Sequence, residues 1–207
     1  MTLSLNEMEA LAKRAARGGG YSWGLAEEAA KATRWLSARG LDGGLALAEV
    51  LEQEFANSLP DHTPGDLEGL WQSSAALCPL LAGVTLSDGA DRLARGPIEM
   101  RHVVQPVLVL PFAANAARRL EGPVTVTSGA WTAITDGTEL SAPDTSPNQA
   151  KTLQVEFGGT VSEPRARQTR ASPAAQALLN RFAHRTYAPA TEESRRLGAG
   201  AGLSDND

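Results

Sequence analysis

The chain has 207 residues, 42% hydrophobic and 21% charged, an ordinary composition for a soluble globular protein able to bury a core. Its formal charge of −5 argues against a dedicated nucleic-acid binder, which needs a positive surface to displace phosphate counterions. Apolar runs break at proline, glycine or charge well before the roughly 18 residues of a membrane span, and Asn6, Glu7 and Glu9 stand where a signal peptide would be basic, so a cytoplasmic location with no membrane partner is expected.

Ser4 and Glu7 form a capping box, with Leu3 and Met8 at the staple positions, and Leu5, Met8, Leu11, Ala12 and Ala15 follow at helical spacing until Gly18-Gly19-Gly20. Ser22 caps a second helix that Gly40 ends, with a face of small residues (Ala26, Ala29, Ala30, Thr33) that lets a partner helix come near. A third helix is predicted over residues 45–55. Pro60 and Pro64 bracket a loop, and Asp66 caps a fourth helix running through Leu70, Trp71 and Leu77 until Pro79 ends it.

The character changes near Gly96. Ile98, Met100, Val103 and Val104, then Val107-Leu108-Val109-Leu110, read as strand, and Pro106 marks an edge, a bulge or a break between two strands. Residues 113–120 read as a short helix, and Val124-Thr125-Val126-Thr127 alternates. Asp136-Gly137 between two strand-like runs is the strongest hairpin signal. Leu153, Val155 and Phe157 alternate as a further strand, and Ser172-Pro173 opens a last helix. This order predicts an α+β fold: an N-terminal helical region, a mostly antiparallel sheet, then a C-terminal helix with a glycine-rich tail. It is read as a single domain over 1–207, with a helical subregion 1–95 and a strand-rich subregion 96–207.

Leu3-Ser4-Leu5-Asn6-Glu7, Lys13-Arg14-Ala15-Ala16-Arg17-Gly18 and Trp23-Gly24-Leu25-Ala26-Glu27-Glu28-Ala29 together resemble a proteobacterial family known only as a domain of unknown function. The run from Arg185-Thr186-Tyr187 through Glu192-Glu193-Ser194-Arg195 to Asp205-Asn206-Asp207 is similar to the same family. The resemblance implies a proteobacterial source and brings no activity or catalytic residues.

Candidate sites rest on side-chain chemistry. The tail sets Ser194 and Arg195 before Gly198, Gly200 and Gly202, and alternating glycines let backbone N–H groups turn toward an anion or let another backbone approach closely. It does not follow a strand and open a helix, as a dinucleotide fingerprint must. Asp205-Asn206-Asp207 is oxygen-rich but reads as a solvated end rather than the six or so ligands a hard cation needs, and the three histidines have no metal-ligand spacing, so no metal is expected. His102 is a candidate general base, an imidazole titrating near neutrality, with Glu99, Asp88 or Asp91 as the nearby carboxylate; a structural histidine is the alternative. Trp23, among permissive glycines, lines a pocket or packs in the core. Cys78, in an apolar run, reads as a buried inert thiol, and the arginine-rich segment 165–170 as a solvated loop.

The function expected from these features is binding of a small anionic metabolite, as an ancillary protein of bacterial metabolism. The alternatives are a cofactor-independent enzyme using His102 with a carboxylate, and a structural or assembly subunit. No motif asks for a cofactor.

Overall fold

The computed structural model describes residues 3–166 and 172–187. Its first helix, α1 (Leu5–Gly18), starts as the spacing predicts: the Glu7 N–H donates to Ser4 Oγ at 3.3 Å and the Ser4 N–H to Glu7 Oε2 at 2.8 Å. These bonds satisfy two donors that a helix start otherwise leaves unpaired. Ser22 caps α2 (Trp23–Ser37), and Asp42, which the sequence patterns do not single out, caps α3 (Gly43–Glu52) by accepting the Leu45 N–H at 3.0 Å. Ser172 opens α6 (Pro173–Ala183), which returns to lie on α1 and α3. Buried alanines on α1 and α2, among them Ala12, Ala15, Ala16, Ala26, Ala29 and Ala30, let the helices lie close. Gly18 of α1 packs against α6: a Cβ there would fall 1.9 Å from the Phe182 carbonyl oxygen.

The helix expected from Asp66 to Pro79 is not present. Leu70–Trp71 is a short strand, β1, and Pro79 opens rather than ends a helix, α4 (Pro79–Asp88). Proline suits a first helical position because the N–H it lacks is unpaired there in any case. Asp66 accepts the Glu68 N–H at 2.9 Å, a bond two residues on that makes a turn instead of a cap. The loop expected around Pro60 contains a 3-10 turn, Phe55–His62.

The second half builds a six-stranded sheet in the order β1-β2-β6-β3-β4-β5, with β2 Ile98–Val104, β3 Val124–Ser128, β4 Trp131–Thr135, β5 Leu140–Ser141 and β6 Gln149–Phe157. Among the strand pairs of the described residues only β1–β2 is parallel, with an isolated parallel bridge Leu77↔Val103 beyond it, so the α+β class and the mostly antiparallel sheet hold. The strand expected at Val107 to Leu110 does not form. These residues form a 3-10 turn, Pro106–Val109, leading into α5 (Leu110–Leu120), and all four are buried. A short apolar run does not by its periodicity separate a buried strand from a buried helix, and the left-handed Gln105 (φ 46°) turns the chain out of β2 just before it. The Asp-Gly hairpin is also looser than a two-residue turn. Residues 136–139 join β4 to β5, and Asp136 Oδ1 accepts the N–H groups of Thr138 and Glu139 at 2.8 and 2.7 Å. The tight turn lies instead between β3 and β4, where Ser128 pairs with Trp131 and Gly129 (φ +59°) takes the first of two loop positions.

Helix α5 lies against β3 and β4, and buried Ile98, Met100, Val126, Ala133, Leu153 and Val155 belong to the same apolar cluster as the N-terminal helices. Arg165, expected in a solvated loop, is instead a clamp. Its guanidinium donates to the carbonyls of Arg39 (2.8 Å), Gly40 (3.3 Å) and Ala142 (3.0 Å) and pairs with Asp144 at 3.0 Å.

Candidate functional site

The far end of β2 is where the backbone departs from regular strand. His102 has φ 53°, a left-handed conformation that L-residues rarely hold inside a strand. The flanking pairs Arg101↔Thr152 and Val103↔Ala150 keep one register, so no extra residue is inserted and His102 stands opposite Lys151. Across this level the buried positions shift by one on both strands. Ile98 and Met100 give way to Val103 on β2, and Val155 and Leu153 to Ala150 on β6. The result turns His102 and Lys151 out of the core; both are exposed.

They open onto a cleft of about 730 Å³. Its lining is mixed: Val103, Val104 and Ala150 are apolar, Gln53 and Gln149 are polar, and one wall is the segment 72–76, carrying Gln72, Ser73 and Ser74. That wall is tied down on two sides. The Leu77 N–H donates to the His102 carbonyl at 2.9 Å, while His62 Nδ1 contacts the Ala76 carbonyl at 2.8 Å and the Ala75 N–H donates to the Asp61 carbonyl at 3.2 Å. Among the described residues, the cleft lining holds one lysine and one histidine and no carboxylate. Lys151 takes no ion-pair partner among them, and the His102 imidazole takes no hydrogen bond. Asp61, itself exposed, lies next to the wall, its carboxylate accepting the Ser74 hydroxyl at 3.2 Å.

A second, smaller cavity of about 130 Å³ lies along α3, lined by Asp42, Glu49, Gln105 and Asp144 among others. Gln105 is also left-handed and is buried; its amide donates to the Glu49 carboxylate. Burial first, then the neighbouring negative charge of Glu52, pushes the Glu49 carboxyl above its ordinary range; the Gln105 bond opposes this. Motif and spacing point to neither residue. A polar glutamine between Val104 and Pro106 is the signal that could have drawn attention to this turn.

The other candidates scatter. Glu99 pairs with the Arg101 guanidinium on the strand itself, and Asp88 is exposed at the end of α4, where its carbonyl accepts from Arg119 at 3.2 Å. Asp91 pairs with the same Arg119 at 2.8 Å. None of the three lines the cleft that holds His102. Trp23 is 64% exposed on α2, with the Arg17 guanidinium 4.6 Å and the Lys13 ammonium 5.7 Å from its ring, so it is not a core anchor. Cys78 is buried 3.5 Å from the Tyr21 hydroxyl, and burial pushes its thiol up, away from the reactive thiolate. Ser194, Arg195, Gly198, Gly200 and Gly202, and the acidic end Asp205-Asn206-Asp207, lie outside the described residues. Among the described residues no group of three or more histidine, cysteine, aspartate or glutamate side chains is placed to hold a metal ion, and no helix is long and apolar enough to cross a membrane.

The fold thus defines an α+β protein with a cleft, lined by one lysine and one histidine, at the end of β2. Residues 3–88 match the model of a family described as "Protein of unknown function (DUF3726)", the class that the N-terminal residues resemble. The matched stretch holds α1 to α4 and the wall of the cleft, while His102 and Lys151 lie beyond it. No curated protein and no solved structure matches the chain.

Proposed function

We propose that the protein binds a small anionic metabolite in the cleft between His102, Lys151 and the wall 72–76. The observation that carries this reading is the lining: a lysine and a histidine without a carboxylate, on a chain whose overall charge is −5. A concave site lined by one sign of charge concentrates ions of the other sign. Its volume falls in the range of about 300–1,000 Å³ usual for metabolite-sized ligands, and Val103, Val104 and Ala150 give its lining an apolar part. The proton-transfer alternative is less well served, because Glu99, Asp88 and Asp91 lie elsewhere. A cytoplasmic location belongs to the same proposal and agrees with a lone, buried thiol instead of a disulfide framework.

The test is thermal melting of the full chain with inorganic phosphate, succinate and citrate, since a ligand that binds only the folded state raises the melting point. At least one anion should raise it, and Lys151→Met should remove most of the rise. Arg195→Ala separates this site from one on the tail: a rise lost with Arg195 and kept without Lys151 would place the anion on the glycine-rich end and sink the cleft reading.

A further inference from the structure

We infer that His102 is the ligand-contacting residue of this cleft, held in its position against the preference of its own backbone. The inference deepens the binding proposal and rests on it. Four non-glycine residues among those described have positive φ: Glu54, His102, Gln105 and Glu121. Three sit where the fold accounts for them. Glu54 follows the end of α3, Glu121 is the C-cap of α5, and Gln105 is anchored through its amide to Glu49. His102 alone lies inside a strand.

Two facts about His102 then pull in opposite directions. The backbone here favours glycine, because a Cβ in the left-handed region crowds the following carbonyl. The fold uses only the main chain of His102, whose carbonyl accepts the Leu77 N–H. Its imidazole is exposed, and no hydrogen bond, ion pair or ring contact to it is formed among the described residues. A side chain that strains the strand and serves no neighbour is explained by something outside the fold. The turn at His102 aims the imidazole into the cleft beside Lys151, where it donates a hydrogen bond to the same anion. Strained backbone of this kind collects at sites of function.

The test pairs stability with binding in three variants of the full chain, probed with inorganic phosphate, succinate and citrate by thermal melting and by chemical-shift titration. His102→Gly relieves the strain, so it should raise the melting point by about 1–3 °C, yet weaken the best-bound anion by about 10-fold or more. His102→Ala keeps the Cβ, so it should lose binding equally while melting no higher than the parent. Lys151→Met should weaken binding without the gain in stability. A His102→Gly protein that melts below the parent shows that the side chain serves the fold, which overturns the inference. So does one that binds as tightly as the parent while Lys151→Met does not; the cleft reading then survives without His102. If the unmodified protein binds none of the three anions, the cleft reading fails and this inference with it.

Discussion

The helical bundle of α1, α2, α3 and α6 and the far end of β2 are built on opposite terms. In the bundle most local signals agree with the fold: caps at Ser4, Ser22, Asp42 and Ser172, small residues where helices touch, and apolar residues at helical spacing. At the end of β2, two polar residues hold left-handed backbone within four positions of each other. Natural sequences are locally consistent over most of their length, and departures concentrate where something other than stability is selected. The departure lies at the sheet end, outside the bundle, three of whose four helices fall in the stretch that the family model matches.

If the bundle is as tightly specified as this implies, it should tolerate intrusion badly. Gly18→Ala gives the largest expected effect. Its Cβ would meet the Phe182 carbonyl at 1.9 Å, and a backbone atom in a buried helix cannot swing aside as a flexible side chain would. A loss of about 3 kcal/mol is expected in denaturant melts, at the upper end for overpacking. A loss under about 1 kcal/mol would mean that α6 is loosely held, and the contrast would weaken.

Arg165→Ala is next. Its guanidinium is mostly buried and joins the α2–α3 connection to the segment after β5 through three carbonyls and Asp144. Removing it leaves those acceptors short of partners, at an expected cost of about 2 kcal/mol. Ser4→Ala follows at about 1 kcal/mol, the usual value of an N-cap side chain, and urea unfolding would read it. If the Ser4 variant lost more than the Arg165 variant, the local caps would outweigh the long-range clamp.

The legibility of the molecule in its sequence follows the same division. The caps and the alanine faces can be read because helix signals act over three or four residues, and α1, α2 and α6 follow them. The stretch from Asp66 to Pro79 misleads because Leu70, Trp71 and Leu77 fit a helical stripe, while their real partners, Glu99, Met100 and Val103, are remote in the chain. Parallel pairing leaves no local mark. His102 stands out in the sequence for its chemistry, but its cleft depends on a left-handed turn and on Lys151, which lies across the sheet on β6. Neither is visible in the residues around it, and the carboxylates Glu99 and Asp91, close to it in sequence, pair with arginines instead.

Glu49 gives the smallest effect, and it sharpens the contrast because it lies where the two regions meet. Burial and the charge of Glu52 raise its folded-state pKa above the unfolded value, so the folded protein holds this proton more tightly. Below about pH 4 the carboxyl is largely protonated in both states and costs the fold nothing. As pH rises the unfolded chain ionises first, so this group's contribution to stability falls until the folded-state carboxyl has also ionised, then stays level. Glu49→Gln removes the titrating proton and leaves an amide oxygen to accept from Gln105. The variant should therefore match the parent in acid and be slightly more stable at pH 7, by a modest margin because the group is still partly in water. Unfolding curves at pH 4 and pH 7 would show it. A variant less stable than the parent at pH 7 would mean that the charged carboxylate is needed to hold Gln105, and that the left-handed turn at the end of β2 depends on that ionised contact.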